Sequence, residues 1–512
     1  VIVKIPSVAL GVNRDATPEE LPLGMWSDCS NVVFHGGYLE RAAGMAQIFS
    51  APTITPYYVA PFRTASSLLW LHAGLQKVYV DDGSTRTEVG RAAAYTGTPN
   101  DRWTGGVFNG LYLLNNGVDV PQYWNGNVAT DFAALPSWPA GYLCKSLRPW
   151  KNYAFALAVT QAGTLYPYRV LWSAQTDPGA YPVSFDITDP TKDAGQFDLA
   201  ETPDLLVDSL PLGDGLVIYK TGSMYLARYT GDPKYVFNFS RLPGDVGMIA
   251  RNCAVNTPMG HVVLTLGDVI LHAGGGPKSI ADGRVRRAIF EQMDTTYAER
   301  ACFVASNPTA NEVWVCYPED GNATCTKAAI WNWKDDAWSF RSLRNVTAGG
   351  TGQTPNAVGY TWATVPGTWA DTTLTWGGKS ATQNDQHLVL AHMAPALSLV
   401  GSGIQDVGVS TTAWAERMGI ALDDPQTVKM VSTLWPRLEG DAGTVVGIQV
   451  GASMKPDVAP TWKPVVNYTI GTSDKIDCFA QGKFLAIRIL SITDAPWRLR
   501  GIDMDVEPMG RW

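Results

Sequence analysis

Between residues 60 and 400 the chain keeps returning to one pattern. A run of apolar, β-branched or aromatic residues leads into a Gly, Asn or Asp turn and then a second run, often ending in Trp. Runs of this length around turn residues predict antiparallel strand pairs. Strand centres fall at Trp70, Tyr112, Phe155, Val217, Leu264 and Trp314. The clearest hairpins join Gly106–Gly110 to Leu111–Leu114, Leu216–Tyr219 to Met224–Ala227, and Val262–Leu266 to Val269–Leu271. Another joins Val313–Cys316 to Ala329–Trp333 and runs on into Trp338–Phe340. Units of roughly 40–50 residues, each a small antiparallel sheet, have the period of propeller blades. The pattern therefore predicts an all-β chain, with a β-propeller of about six to eight blades over residues 56–400. No blade signature accompanies the period, and a large two-sheet β-sandwich has the same strand content.

Both flanks read differently. Residues 1–55 form an N-terminal leader or hairpin arm. Thr17, Pro18, Glu19 and Glu20 have the chemistry of a helix start: a cap, a preset φ and carboxylates at the positive dipole end. Asn31–Phe34 and Tyr38–Arg41 then flank Gly36-Gly37, a hairpin signal. Val32, Phe34 and Tyr38 are too few to make a core alone, so they need burial against the propeller or a neighbouring subunit. Beyond residue 400, alternating runs at Thr444–Val450, Phe484–Leu490 and Trp497–Val506 predict a C-terminal β-sandwich over 401–512. In the second run Leu485, Ile487 and Ile489 face one way and Arg488 the other. Between the two regions, Trp362, Trp369 and Trp376 sit in a stretch rich in Gly, Thr, Pro and Asn. Gly and Pro forbid a helix there, leaving short strands or an inserted loop.

Composition sharpens this picture. Only 17% of residues are charged, against 50 Gly, 33 Pro and 19 Trp, which suits many turns and large aromatic faces, as in sheets and subunit contacts. The formal net charge is −8, so the chain lacks the basic footprint of a strong nucleic-acid binder. An acidic surface still fits a channel through which DNA slides without sticking. The seven Cys are scattered without a CxxC, which argues for buried reduced thiols rather than a zinc site or disulfide scaffold. Only Cys316 and Cys325 lie close enough in sequence to meet across a hairpin, and whether they are oxidised is open. The first residues do not read as a signal peptide, and no apolar run reaches the ~18 residues of a membrane span. The expectation is a chain made in a cytosol.

Candidate chemistry is sparse. There is no HExxH, GxSxG or phosphate-loop motif. Gly274–Ser279 resembles a phosphate loop but lacks the Gly before Lys278, and Pro277 removes a donor. Asp81–Ser84 and Asp189–Asp193 offer carboxylates without the ligand count of a calcium loop. His261 and His272 flank one strand pair and could meet across it. The basic spot Arg284, Arg286, Arg287 offers a contact with another subunit or a partner protein. Strand alternation would put Arg284 and Arg286 on one face, and Glu291 and Asp294 are counter-charges if the segment is only a solvated turn. No catalytic, metal or cofactor residue stands out, so the reading is not an enzyme.

Several ordered motifs remain. The leader holds Gly11-Val-Asn13, Pro18–Leu21, Trp26-Ser-Asp28, Asn31–Gly37, Glu40-Arg41 and Gly44. Asn109-Gly110, Val118–Pro121 with Trp124, Trp172-Ser173, Ile218–Lys220, Gly267–Val269 and Asp282–Arg286 follow. Gln481–Phe484, Arg488, Trp497–Gly501 and Gly510-Arg511 close the series. Together they resemble the tail nozzle (tail tubular protein B) family of short-tailed bacteriophages over nearly the whole chain. Lys483 departs from the Arg that the resemblance leads one to expect. The resemblance implies a propeller nozzle in the virion, made in the host bacterial cytoplasm, with six copies in a ring below the portal and its adaptor. It implies passage of DNA without tight binding, contacts with the adaptor and with fibres or tailspikes, and no catalytic residues. Two rival classes stand beside it. One is a glycan-degrading propeller or tailspike, the other a glycan-binding propeller suggested by Trp362, Trp369 and Trp376.

Overall fold

The computed structural model describes residues 2–5, 8–232, 234–354, 386–422 and 424–511. The three tryptophans Trp362, Trp369 and Trp376 lie outside the described residues. Among the described residues the regular structure is almost entirely β, with two short α-helices, α1 (Arg286–Gln292) and α2 (Thr295–Ala301).

Five consecutive four-stranded antiparallel sheets run in chain order. The first begins with Tyr58–Arg63, the second with Thr104–Phe108, the third with Tyr142–Trp150, the fourth with Leu206–Leu212 and the fifth with Ala254–Thr257. The expected strand centres Trp70, Tyr112, Phe155, Val217 and Leu264 each lie in the second strand of one of these sheets, and Trp314 lies in the second strand of the next. The hairpin at Asn109-Gly110 shows the turn chemistry that joins such strands. Both residues take positive φ, 50° and 87°, as a two-residue turn matched to strand twist demands, and Phe108 pairs with Leu111.

The sixth sheet is larger. It starts Phe303–Asn307, Glu312–Tyr317, Cys325–Asn332, and its fourth strand, Ala337–Gly352, changes partners midway. Up to Val346 that strand pairs backwards with Cys325–Asn332. From Val346 to Gly352 it pairs forwards with His387–His392, which pairs with Ala396–Val400. The last place is filled from the other end of the segment, where Met45–Gln47 pairs with Val400–Ser398.

First strands of successive sheets adjoin one another from the second sheet to the sixth, and the far end of Ala337–Gly352 adjoins Tyr58–Arg63. Glycine makes this last approach possible. A Cβ on Gly350 would lie 2.5 Å from the Val59 carbonyl oxygen, and one on Gly352 would lie 2.4 Å from Pro61 Cβ. Sheets pack face to face through aromatic contacts, such as Phe62 edge-on to Tyr112 at 5.5 Å between the first and second.

The remaining strands form two six-stranded sheets, and here the expectation of a separate leader is corrected. Ile2–Ile5 and Tyr38–Arg41 both pair with Trp497–Arg511, while Asp28–Ser30 pairs with Trp414–Ile420. The leader is thus woven into both C-terminal sheets. Val32 and Phe34 are buried in the same chain, in a core shared with Phe340, Leu485, Ile487 and Leu499. They are not available to a neighbouring subunit. Only the Pro18–Glu20 turn forms at the expected helix start, and Thr17 makes no side-chain cap there. Leu485, Ile487 and Ile489 are buried as the alternation predicts, and Arg488 turns away to hold Glu416 at 2.6 Å.

Candidate functional site

The sequence motifs of the leader and the basic spot come together at one junction. Asn13 takes a tight turn, its side-chain oxygen accepting from the backbone N–H of Asp15 and Ala16, and its amide donates to Gly283 O at 2.9 Å. Arg284 O accepts the N–H of Arg14 at 2.7 Å. Asp15 then reaches the start of α1, accepting from the N–H of Arg287 and Ala288 at 3.1 and 3.2 Å. A carboxylate there satisfies orphan helix donors and opposes the positive end of the helix.

That cap overturns the strand-alternation reading of the basic spot. Gly283 turns the chain with φ +68°, and the segment enters a helix instead of a strand. Arg284 is pinned by Asp336, donating to its carboxylate and its carbonyl at 2.8 Å each. Arg286 donates to Gly267 O at 2.8 Å and meets Asp282 at 3.2 Å. Arg287 alone projects freely, two-thirds exposed, with Glu291 at 3.5 Å. Asp294 instead caps α2 by accepting from Thr296 N–H.

The leader hairpin is fastened as closely. Asn31, at φ +57°, accepts from both the N–H and the hydroxyl of Ser342 and donates to Thr412 O at 2.8 Å. Arg41, nearly fully buried, donates to Ile404 O and Thr411 O and to the Asp494 carboxylate at 2.9 Å. Glu40 meets Arg498 at 2.8 Å. Tyr38 is half-buried, with the guanidiniums of Arg498 and Arg500 each 6.0 Å from its ring.

His261 and His272 do meet, paired directly across their hairpin. Sequence reasoning missed the group between them. Tyr219 Oη lies 2.6 Å from His261 Nδ1 and 2.7 Å from His272 Nε2. His261 Nε2 faces the Pro211 carbonyl at 2.8 Å, and His272 Nδ1 accepts from Gly274 N–H at 3.4 Å. These partners fix the tautomers: His272 Nε2–H donates to Tyr219, and Tyr219 O–H donates to His261. Burial pulls both imidazoles down to about 4, so both are neutral near pH 7. Such a closed chain of neutral donors and acceptors cements the fourth sheet to the fifth.

A second polar centre lies on the first strands of the sheets. Arg148 grips Asp208 with two hydrogen bonds, Nε to Oδ1 at 2.8 Å and Nη2 to Oδ2 at 2.6 Å. Arg148 also donates to Gly105 O and to Asn252 Oδ1. Asp208 also accepts from Ser146 Oγ and Asn252 N–H. One ion pair thereby ties the second, third and fourth sheets to the turn that leads into the fifth.

The remaining candidates are turns. Asp82 accepts from the N–H and hydroxyl groups of Ser84 and Thr85, and Asp189 accepts from Thr191 in the same way. Burial raises the neighbouring Asp81 to about 6 beside Arg86. Lys278-Ser279 is a short outer strand pairing with Ile270-Leu271. Cys316 lies opposite Ala328 and Cys325 opposite Val346, so the two thiols are not cross-strand partners, and all seven cysteines are free. Among the described residues, no group of three or more His, Cys, Asp or Glu is placed to hold a metal ion. Nor is any helix among them long and apolar enough to cross a membrane.

No family model matches the chain, and no curated protein does. Three solved structures match it at low similarity. A computationally designed protein, Ika8, is 9% identical, with a TM-score of 0.35 over 77% of this chain and 99% of its own. The extracellular domain of a protein described as a one-component system from B. thetaiotaomicron is 9% identical, with a TM-score of 0.41 over 70% of this chain and 40% of its own. BBS1N, solved in complex with ARL6DN, is 11% identical, with a TM-score of 0.39 over 70% of this chain and 96% of its own.

Proposed function

We propose that the chain is a structural subunit of a short phage tail, a propeller clasped by a sandwich, six copies of which form the distal nozzle ring below the portal and adaptor. The propeller part rests on the order of the sheets. Ala337–Gly352 pairs with Cys325–Asn332 over its first part and with His387–His392 over its second, which supports counting it as the last strand of a sixth blade and the first of a seventh. Met45–Gln47 supplies the final strand of the seventh beside Ala396–Val400, so strands from both ends of the segment latch the circle.

The observation that carries the functional reading is the convergence of the motif residues. Asn13, Asn31, Glu40, Arg41, Arg284 and Arg498 lie far apart in sequence, yet they fasten leader, propeller and sandwich into one body. A subunit that must hold a channel open while DNA is driven through it needs such internal bracing more than a reactive cleft. The formal charge of −8 suits a passage that does not trap DNA through counterion release. A heterologous contact repeated until it closes gives the ring.

Electron microscopy of particles carrying the chain tests this directly. A six-fold ring at the distal end of the tail is expected, with no retardation of DNA by the isolated chain at low salt. A ring of another order, or tight DNA binding, would sink the nozzle reading.

A further inference from the structure

The third and fourth sheets end in the outer strands Gly195–Asp198 and Phe237–Arg241. Further in, their facing sides are filled by Phe155, Leu157, Val170, Leu216, Ile218 and Phe237. A soluble sheet pair ordinarily ends such a core in polar residues. Here the aromatic surface continues into solvent. Phe197 is 49% exposed and stacks nearly parallel on Phe239, with ring centroids 5.1 Å apart and planes 6° apart. Tyr235, from the loop before the last strand of the fourth sheet, is 64% exposed. Gly195 leaves the room that the Trp172 ring needs, since a Cβ there would lie 2.4 Å from the ring. Together with the loop carrying Ile187–Ala194 these residues enclose a groove of about 860 Å³, within the usual size range of ligand sites.

The polar groups of the groove offer both donors and acceptors. Asp193 has both oxygens engaged, by Tyr153 Oη at 2.6 Å and Gln175 N–H at 2.8 Å. Asp189 uses only Oδ1, in its turn with Thr191, so its second oxygen is an open acceptor. Lys192 and Lys234 line the same groove, and Lys234 Nζ lies 5.5 Å from the Tyr235 ring centre. Two aspartates against two lysines leave the groove without net charge.

We infer that this groove binds an uncharged oligosaccharide. A sugar ring has apolar C–H faces that settle on the electron-rich faces of aromatic rings, and its hydroxyls both donate and accept. Wet aromatic platforms, open donors and an open acceptor match that ligand group for group. A polyanion would need an excess of positive charge, which the groove lacks. The inference stands on this groove alone and holds whether or not the chain forms a nozzle.

Titration of the full chain with hexamers of glucose, galactose, mannose and N-acetylglucosamine, followed by saturation-transfer NMR and calorimetry, tests it. Polyuronate and sulfated hexamers serve as charged controls. Binding of at least one neutral hexamer is expected, weakened tenfold or more by Tyr235→Ala and by Phe197→Leu. Tyr235 is mostly exposed, so its removal should leave the melting temperature unchanged, and Phe197→Leu keeps an apolar side chain while removing the flat face. The inference is overturned if no neutral hexamer binds, if only the charged hexamers bind, or if binding survives both substitutions. It is equally overturned if Tyr235→Ala alters self-association while sugar binding stays intact, which would make the groove a contact between copies.

Discussion

Arg148 holds Asp208 through two parallel hydrogen bonds of 2.8 and 2.6 Å, where three sheets meet the turn that leads into a fourth. Burial would raise the Asp208 carboxyl, but Arg148 and the hydrogen bonds around it outweigh burial and leave it below the ordinary carboxylate range. Asp208→Asn should cost about 3–5 kcal/mol, because it strands a buried guanidinium. Replacing both partners by apolar residues of similar volume should cost much less. Urea unfolding of the two single variants and the double variant measures this, and equal losses in all three would contradict it. The depressed value also sets a sign: the stability this pair lends is present above the unfolded carboxylate value near 3.9 and is lost as pH falls through the folded one.

The Tyr219 bridge makes a separate prediction at mild acidity. His261 and His272 titrate at about 4 when folded and near 6.5 when unfolded. Between those values the unfolded chain binds more protons, so stability is complete above pH 6.5 and falls steadily toward pH 4. Thermal melts at pH 7.5 and 4.5 should show the drop, and a His261→Gln, His272→Gln variant should show a shallower one. An unchanged slope in that variant would remove these two imidazoles from the account. Tyr219→Phe should cost about 1–3 kcal/mol at pH 7, since it leaves both ring nitrogens buried without a partner.

Phe34 separates folding from assembly. Because it is buried in the chain's own core, Phe34→Ala should destabilise the isolated monomer by about 3–5 kcal/mol. Denaturant unfolding of the monomer is the measurement. A normal monomer that fails only to associate would return Phe34 to a subunit contact.

Gly350 tests the approach of the long strand to the first sheet. A side chain there meets the Val59 carbonyl at a distance no real Cβ tolerates. Gly350→Val should therefore yield little soluble protein, whereas Gly321→Ala, in a turn with nothing nearby, should cost far less despite its positive φ of 79°. Comparable yields of both variants would refute the close approach.

Much of the fold was legible because each sheet's second strand is its most apolar, and Trp70 to Trp314 mark six of them. His387–His392, which continues the sixth sheet, was missed because the stretch before it breaks the spacing. His261 and His272 were legible from a tight hairpin that places them opposite each other. Tyr219 was not, because it belongs to another sheet and its neighbours make it read as core. The leader failed for the same reason. Val32 and Phe34 announce a need for burial, but no local pattern says that Ile2–Ile5 will pair with residues 502–505. Nor does the Arg284–Arg287 segment reveal that Asp15 will cap it, some 270 positions away in sequence.

The latch between Met45–Gln47 and Ala396–Val400 also sets a schedule for synthesis. A ribosome adding about 5–20 residues per second finishes the second partner roughly 20–70 s after the first. For most of that interval the first sheet has been made while Gly350 and Gly352, which will adjoin it, do not yet exist. The nascent chain therefore carries the flank of its first sheet open for most of that interval, and Met45–Gln47 gains its partner only once Ala396–Val400 has been made.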